Sequence, residues 1–149
     1  VASIPYTEIE EAIGFRIEQH LPQVKVLIED EFFLANEEQP IVAIYLERRD
    51  MAPQQYLRRR VDYHLIFTIW CWCFSMEGPR VAAKLRDKLV QDVEQVLLGE
   101  RTFGMDANIE TSWIEGGELP TGRVPEISGF ASGGELRLVV KVNATSMEG

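Results

Sequence analysis

Val61-Asp62-Tyr63-His64-Leu65-Ile66-Phe67-Thr68-Ile69-Trp70-Cys71-Trp72-Cys73-Phe74 is the stretch that decides the fold. Side chains along a strand project alternately to opposite faces, and here Val61, Tyr63, Leu65, Phe67, Ile69, Cys71 and Cys73 make one unbroken apolar face. The opposite face starts polar with Asp62 and His64 and turns apolar at Trp70, Trp72 and Phe74. This is the pattern of a central strand. Its far end must be covered on both sides, by the chain's own helices or by another subunit.

Working back from this strand, Met51 to Arg60 is polar and interrupted by Pro53, which predicts an extended hairpin loop longer than usual. The strand entering that hairpin is Ile41-Val42-Ala43-Ile44-Tyr45-Leu46, β-branched and aromatic, closed by Glu47, Arg48, Arg49 and Asp50. Further upstream, Val24 to Ile28 reads as a short strand. Before it, Ile9, Ile13, Ile17 and Leu21 recur at helical spacing and predict a helix over residues 7–20. Thr7 and Glu10 have capping-box spacing, Pro22 closes the segment, and Glu8, Glu10, Glu11, Arg16 and Glu18 are expected to point away from the core.

Downstream, Gly78-Pro79 opens a second helix over 79–98, carried by Val81, Leu85, Leu89, Val93, Val96 and Leu97. A strand follows at Asn108 to Glu115. Gly116-Gly117 and Gly133-Gly134 read as turns around a poorly patterned stretch, and Leu136, Leu138, Val140, Val142 and Ala144 mark a terminal strand. The order of elements predicts a single α+β domain over 1–149, a two-layer sandwich whose mixed or antiparallel sheet carries both helices on one face and an extended hairpin.

Composition narrows the function. A chain of 149 residues with 46% hydrophobic residues can bury a core and is neither disordered nor fibrous. Its net charge of -9 argues against a nucleic-acid binder, which must neutralise phosphates with clustered Lys and Arg. No run approaches the ~20 apolar residues of a membrane span. Val1-Ala2-Ser3-Ile4-Pro5 lacks a signal-peptide pattern, so a soluble protein made where it acts is expected. Cys71 and Cys73 lie two apart on one strand, where a bridge would be strained, so they read as free thiols.

The candidate chemistry is sparse. His20 and His64 fall in different elements with no nucleophile elbow near them. Cys71-x-Cys73 lacks the further ligands a metal site needs. Glu29-Asp30-Glu31, Glu37-Glu38, Glu115 and Glu118 read as solvated faces, and neither glycine pair opens a phosphate-binding helix. No catalytic, cofactor or metal site is expected, and no enzyme. Arg58-Arg59-Arg60, with Arg48 and Arg49 across the hairpin, could grip a phosphate or the acidic surface of a neighbouring subunit, the preferred reading, or remain a solvated strand end. Trp70 and Trp72 have two readings, core or interface anchors.

The layout resembles the tail terminator, or tail completion, proteins of long-tailed bacteriophages. The resemblance runs from the helix and short strand of Ile9 to Ile28 through Pro40-Ile41-Val42-Ala43-Ile44-Tyr45, the Arg-rich hairpin and the long strand from Arg60 to Phe74. It continues through the helix Val81 to Leu98, Ser112-Trp113, and Leu136-Arg137-Leu138-Val139-Val140. The resemblance implies a non-enzymatic homohexameric ring in the virion, assembled in the host cytoplasm. Such a ring caps the tail tube, stops its polymerisation and meets the connector proteins of the neck, while DNA passes through without specific binding and no membrane is involved. An acidic inner wall suits that passage. By pattern alone, the expected inter-subunit positions are Arg48, Arg49, Arg58, Arg59 and Arg60, and the Gly116 to Gly134 segment with Arg123 and Phe130. Two alternatives remain open: another neck, head-completion or baseplate subunit, and a small ligand-binding regulatory domain with a pocket at Trp70 and Trp72.

Overall fold

The computed structural model describes residues 4–30, 39–51, 60–105, 109–119, 121–123 and 129–145. In chain order these form α1 (Tyr6–His20), β1 (Lys25–Ile28), β2 (Ile41–Met51), β3 (Arg60–Ser75), α2 (Pro79–Gly99), β4 (Ile109–Ile114), β5 (Thr121–Arg123) and β6 (Phe130–Thr145). The sheet is open and mixed, in the order β1-β2-β3-β6-β4, with short β5 beside β6. Among the described strands β1 and β2 run parallel, and the other pairs are antiparallel. The expected α+β class, with a mixed sheet and two helices, is the observed one.

The period-two reading of β3 explains the layering. Leu65, Phe67, Ile69, Cys71 and Cys73 enter one core with Val42 and Ile44 of β2 and with Leu136, Leu138, Val140 and Val142 of β6. Ile9, Ile13 and Ile17 of α1 and Leu89, Val93, Val96 and Leu97 of α2 close the same core, so both helices lie on that face. Removing these side chains from water supplies the main drive to fold, and the two helical stripes have no other apolar surface to meet. Arg16 links the helices: its Nε donates to the carbonyl of Val96 at 2.9 Å, satisfying an oxygen that the last turn of α2 leaves without an intrahelical partner.

Three local readings are corrected. First, α1 begins at Tyr6 after Pro5 and has no side-chain cap, so Thr7 and Glu10 do not form a capping box. Glu10 instead turns inward and is only 7% exposed. Second, Gly133 and Gly134 do not form a turn. They lie inside β6 opposite Trp72 and Cys71, because the strand starts at Phe130 and pairs with β3 along its whole length. A side chain at 134 would come within 2.5 Å of Val90 Cγ2, and one at 133 within 2.7 Å of the Trp72 ring. The two glycines therefore let α2 approach on one face and Trp72 lie flat on the other. Third, β2 extends to Met51, past the charges that were expected to end it.

Candidate assembly surfaces

The face of the sheet away from the helices holds most of what the sequence left open. Ile66, Thr68 and Phe74 of β3 are buried there, with Ile41 and Ala43 of β2 and Val139 of β6. Trp70 and Trp72 are half-buried and stack on each other, with ring centroids 6.0 Å apart and planes 19° apart. They stand outside the helix-covered core, since their register partners Ala43, Ile41, Glu135 and Gly133 belong to the opposite face. His64 meets the Trp113 ring edge-on at 5.4 Å, which occupies it structurally, and His20 Nδ1 lies 3.0 Å from the carbonyl of Arg16 at the end of α1.

An edge carrying Glu47, Arg48, Arg49 and Asp50 forms where β1 stops. Because β1 pairs only with Ile41 to Ile44, β2 becomes the outermost described strand beyond Tyr45, and a bulge falls between Leu46 and Arg48. Glu29, with φ 50°, turns the chain out of β1. Its amide donates to the Ile44 carbonyl at 2.9 Å and its Oε1 accepts the Leu46 amide at 3.2 Å. The bulge shifts the alternation, so Arg48 stands opposite Ile66 and Arg49 opposite Leu65. Arg49 reaches the helix side, donates to Tyr6 Oη at 2.6 Å, and sits 5.7 and 5.8 Å from the centroids of the Tyr6 and Tyr63 rings. Arg48 stays exposed and pairs with Asp50 at 3.3 Å. Tyr6, Leu46, Glu47, Arg48 and Arg49 line a shallow cleft of about 250 Å³.

Behind this edge lies Glu10. Its Oε2 is buried and has no hydrogen-bond partner among the described residues. Burial, then the neighbouring carboxylates of Glu29 and Glu11, push its pKa from the ordinary range up to about 7.

An acidic edge lies on the other side of the sheet. After β4, residues 115–118 continue beside β6: the Glu115 amide donates to the Arg137 carbonyl at 2.8 Å, that of Arg137 to the Gly116 carbonyl at 2.7 Å, and that of Glu135 to the Glu118 carbonyl at 2.7 Å. Gly117 has φ 153°, and a Cβ there would collide with the Glu135 carbonyl, so only glycine fits this pass. Glu115, Gly116, Gly117, Glu118, Glu135 and Arg137 line a cleft of about 240 Å³. Three carboxylates and one guanidinium thus line one cleft: Arg137 pairs with Glu135 at 3.4 Å, and Glu115 Oε1 accepts from Trp113 Nε1 at 3.4 Å.

Of the arginines singled out in the sequence, Arg48 and Arg49 lie next to each other on this edge of β2. Arg58 and Arg59 lie outside the described residues, and the backbone of Arg60 pairs with Thr145, three residues beyond the last β2 register partner, Tyr63. Arg123 and half-buried Phe130 are register partners of β5 and β6; the Arg123 side chain is also outside the described residues. Glu115 and Glu118, read as solvated, are exposed, whereas Glu10, read as outward-facing, is buried. A signal for Glu10 existed in Gly14 and Ile17, which continue its helical row: a glycine there marks a close approach, and a side chain at 14 would meet Ile28 Cδ1 at 2.8 Å.

Cys71 and Cys73 are buried free thiols. Burial pushes both upward, Cys73 to about 11 and Cys71 further. A thiol reagent at pH 8 should therefore label the folded chain at least about a hundredfold more slowly than the urea-unfolded chain, because the thiolate is the reacting form. Equal rates would mean that this part of the core opens freely. Among the described residues, no three His, Cys, Asp or Glu side chains converge in a metal-binding arrangement. No described helix is long and apolar enough to cross a membrane. No protein-family model matches the sequence, and no curated protein matches it.

Proposed function

We propose that this chain is a non-enzymatic structural subunit of a phage-like particle, a tail terminator whose copies close into a ring at the head-proximal end of the tail tube. The observation that carries this reading is the half-buried, stacked pair Trp70 and Trp72 on the sheet face away from the helices. Both helices pack on the other face, and the described sheet is open, with β1 and β4 as its outermost strands. Half-buried aromatic pairs and open strand edges suit a surface completed by neighbouring subunits. A closed ring gives every copy the same neighbours without leaving a growing end. A net charge of -9 suits a lumen through which DNA slides without sticking.

In this role the protein acts by geometry. One end of the ring fits the last ring of tube protein and blocks further addition, and the other presents a surface to the neck connectors. The ring number implied by the resemblance is six. The particle is the site of action and the host cytoplasm the site of assembly.

The test is the native mass of the purified chain combined with negative-stain images, alone and with tail-tube protein. Rings with a central hole that cap tube ends and fix tube length are the expected result. A chain that stays monomeric at high concentration and leaves tube growth unchanged would refute the reading. Rings that bind neck or baseplate proteins but leave tube length unchanged would move the subunit to another position in the particle.

A further inference from the structure

Where β1 ends, a side chain continues its ladder. Glu29 follows Ile28, the last residue of β1, and its amide still donates to the Ile44 carbonyl of β2 at 2.9 Å. The next donor on that edge of β2, the Leu46 amide, is met by Glu29 Oε1 at 3.2 Å, so a carboxylate oxygen stands where a longer β1 would have placed a backbone carbonyl. Glu29 reaches it from a left-handed backbone, φ 50°, a conformation that a residue with a Cβ keeps only while its surroundings hold it there.

Beside this joint stands Glu10 of α1. The helix lies close on β1, since a side chain at Gly14, one turn after Glu10, would meet Ile28 Cδ1 at 2.8 Å. Glu10 Oε2 is buried with no hydrogen-bond partner among the described residues, and the charges that act on it are the carboxylates of Glu29 and Glu11. We propose that Glu10 and Glu29 form a proton-operated latch. With Glu10 neutral, Glu29 stays on the Leu46 amide and closes the ladder; when Glu10 loses its proton, the Glu29 carboxylate leaves that amide and uncovers this edge of β2. The latch goes beyond the ring reading and does not depend on it, since every group in it belongs to one chain.

Repulsion drives the release. On α1 itself, Glu8 and Glu11 are exposed carboxylates. From β2, Arg49 is occupied with Tyr6 Oη at 2.6 Å, one turn before Glu10, and Glu47 lines the same cleft as Tyr6 and Leu46. Beyond Glu29, the Tyr45 hydroxyl donates to the Asp30 carbonyl at 2.7 Å, and burial with the charges of Asp30 and Glu29 raises its pKa, so it stays neutral. Lys25 lies at the other end of β1, and α2 meets α1 further along, where Arg16 donates to the Val96 carbonyl. An ionised Glu10 therefore faces carboxylates first. Burial, then Glu29 and Glu11, raise its pKa to about 7, so the change of state falls near neutral pH. Glu29 is the partner that moves, because it is exposed at a strand end and held by a long bond, whereas Glu10 sits in a helical turn packed on β1.

The test reads the Leu46 amide by hydrogen exchange and NMR on the full chain, with rates corrected for the intrinsic pH dependence of exchange. Phe67, paired on both sides in the middle of β3, is the reference for opening of the whole sheet. In the wild type, protection of Leu46 should fall at least about fivefold between pH 6 and pH 8.5, beyond any change at Phe67. Glu10→Gln cannot ionise and should keep Leu46 protected throughout. Glu29→Gln leaves an oxygen for the Leu46 amide but removes the charge, so protection should again be flat, and the Glu10 carboxyl carbon should titrate at lower pH than in the wild type.

Leu46 protection that does not change with pH in the wild type would overturn the latch. So would a fall that persists in Glu10→Gln, since Glu10 would then not be its source. A fall matched in size at Phe67 would overturn it as well, because the sheet would be opening as a whole and not at this joint.

Discussion

Alanine at position 67 should cost the chain about 3–5 kcal/mol of unfolding free energy, the usual loss when a buried aromatic side chain is cut back. Phe67 is fully buried in the middle of β3, flanked in register by Leu46 of β2 and Leu138 of β6, within the cluster that both helices close. No neighbour can collapse into the space without displacing a strand that is hydrogen-bonded on both sides. Domains of this size are stable by about 5–15 kcal/mol, so the variant should lose a large part of its margin. Urea denaturation followed by far-UV circular dichroism measures it, with a lower midpoint at unchanged slope. Trp70→Ala, at a half-buried position on the opposite face, is the informative control. Its loss of monomer stability should be clearly smaller, with its main effect on self-association. If the two substitutions destabilised the monomer equally, Trp70 would be core, and the assembly reading would lose its carrying observation.

Glu10→Gln should make the protein more stable than wild type at pH 8 and leave it nearly unchanged at pH 4. The pKa of Glu10 in the folded chain is raised from 4.5 to about 7. Below pH 4.5 the carboxyl is protonated in both folded and unfolded chains, and no penalty arises. Between pH 4.5 and 7 the unfolded chain releases the proton that the folded chain still holds, so stability falls as pH rises. Above pH 7 both are ionised and the penalty is constant, on the order of 2 kcal/mol once relaxation near the protein surface is allowed for. Glutamine keeps the shape and removes the charge. Denaturation midpoints at the two pH values test it, and a difference of the same size at pH 4 and pH 8 would show that ionisation of Glu10 is not the cause.

The elements were legible where periodicity was strong. The alternation of Val61 to Phe74 announced β3 and its core face, and the stripes of Ile9-Ile13-Ile17 and Leu89-Val93-Val96 announced the helices, because period and burial coincide there. The first half of β6 was not legible. Ser132, Gly133 and Gly134 carry almost no side-chain pattern, and they are strand because β3 offers its whole length for pairing and because α2 and Trp72 need the space that glycine leaves. Local propensity lost to tertiary packing at that point. The surfaces were half legible. The arginines stood out in an acidic chain, but the bulge that decides which of Arg48 and Arg49 takes the helix-covered face is a matter of register. So is the pass at Gly117, which converts scattered glutamates into a cleft.

The pairing of β3 with β6 also sets the order in which the chain can mature. Ser75 must find Phe130, and Arg60 must find Thr145, so the central pair is the least local strand pairing among the described strands. During synthesis, β1, β2, β3 and α2 emerge first and can associate among themselves, while the inner edge of β3 waits for β6 with its hydrogen-bonding groups unsatisfied. The outer edges of the finished sheet are short or rimmed with charge, whereas this temporary edge is long and apolar. Before β6 arrives, the nascent subunit carries the sheet surface most prone to pair with a stranger, and its chaperone demand should be set by the wait for the final strand.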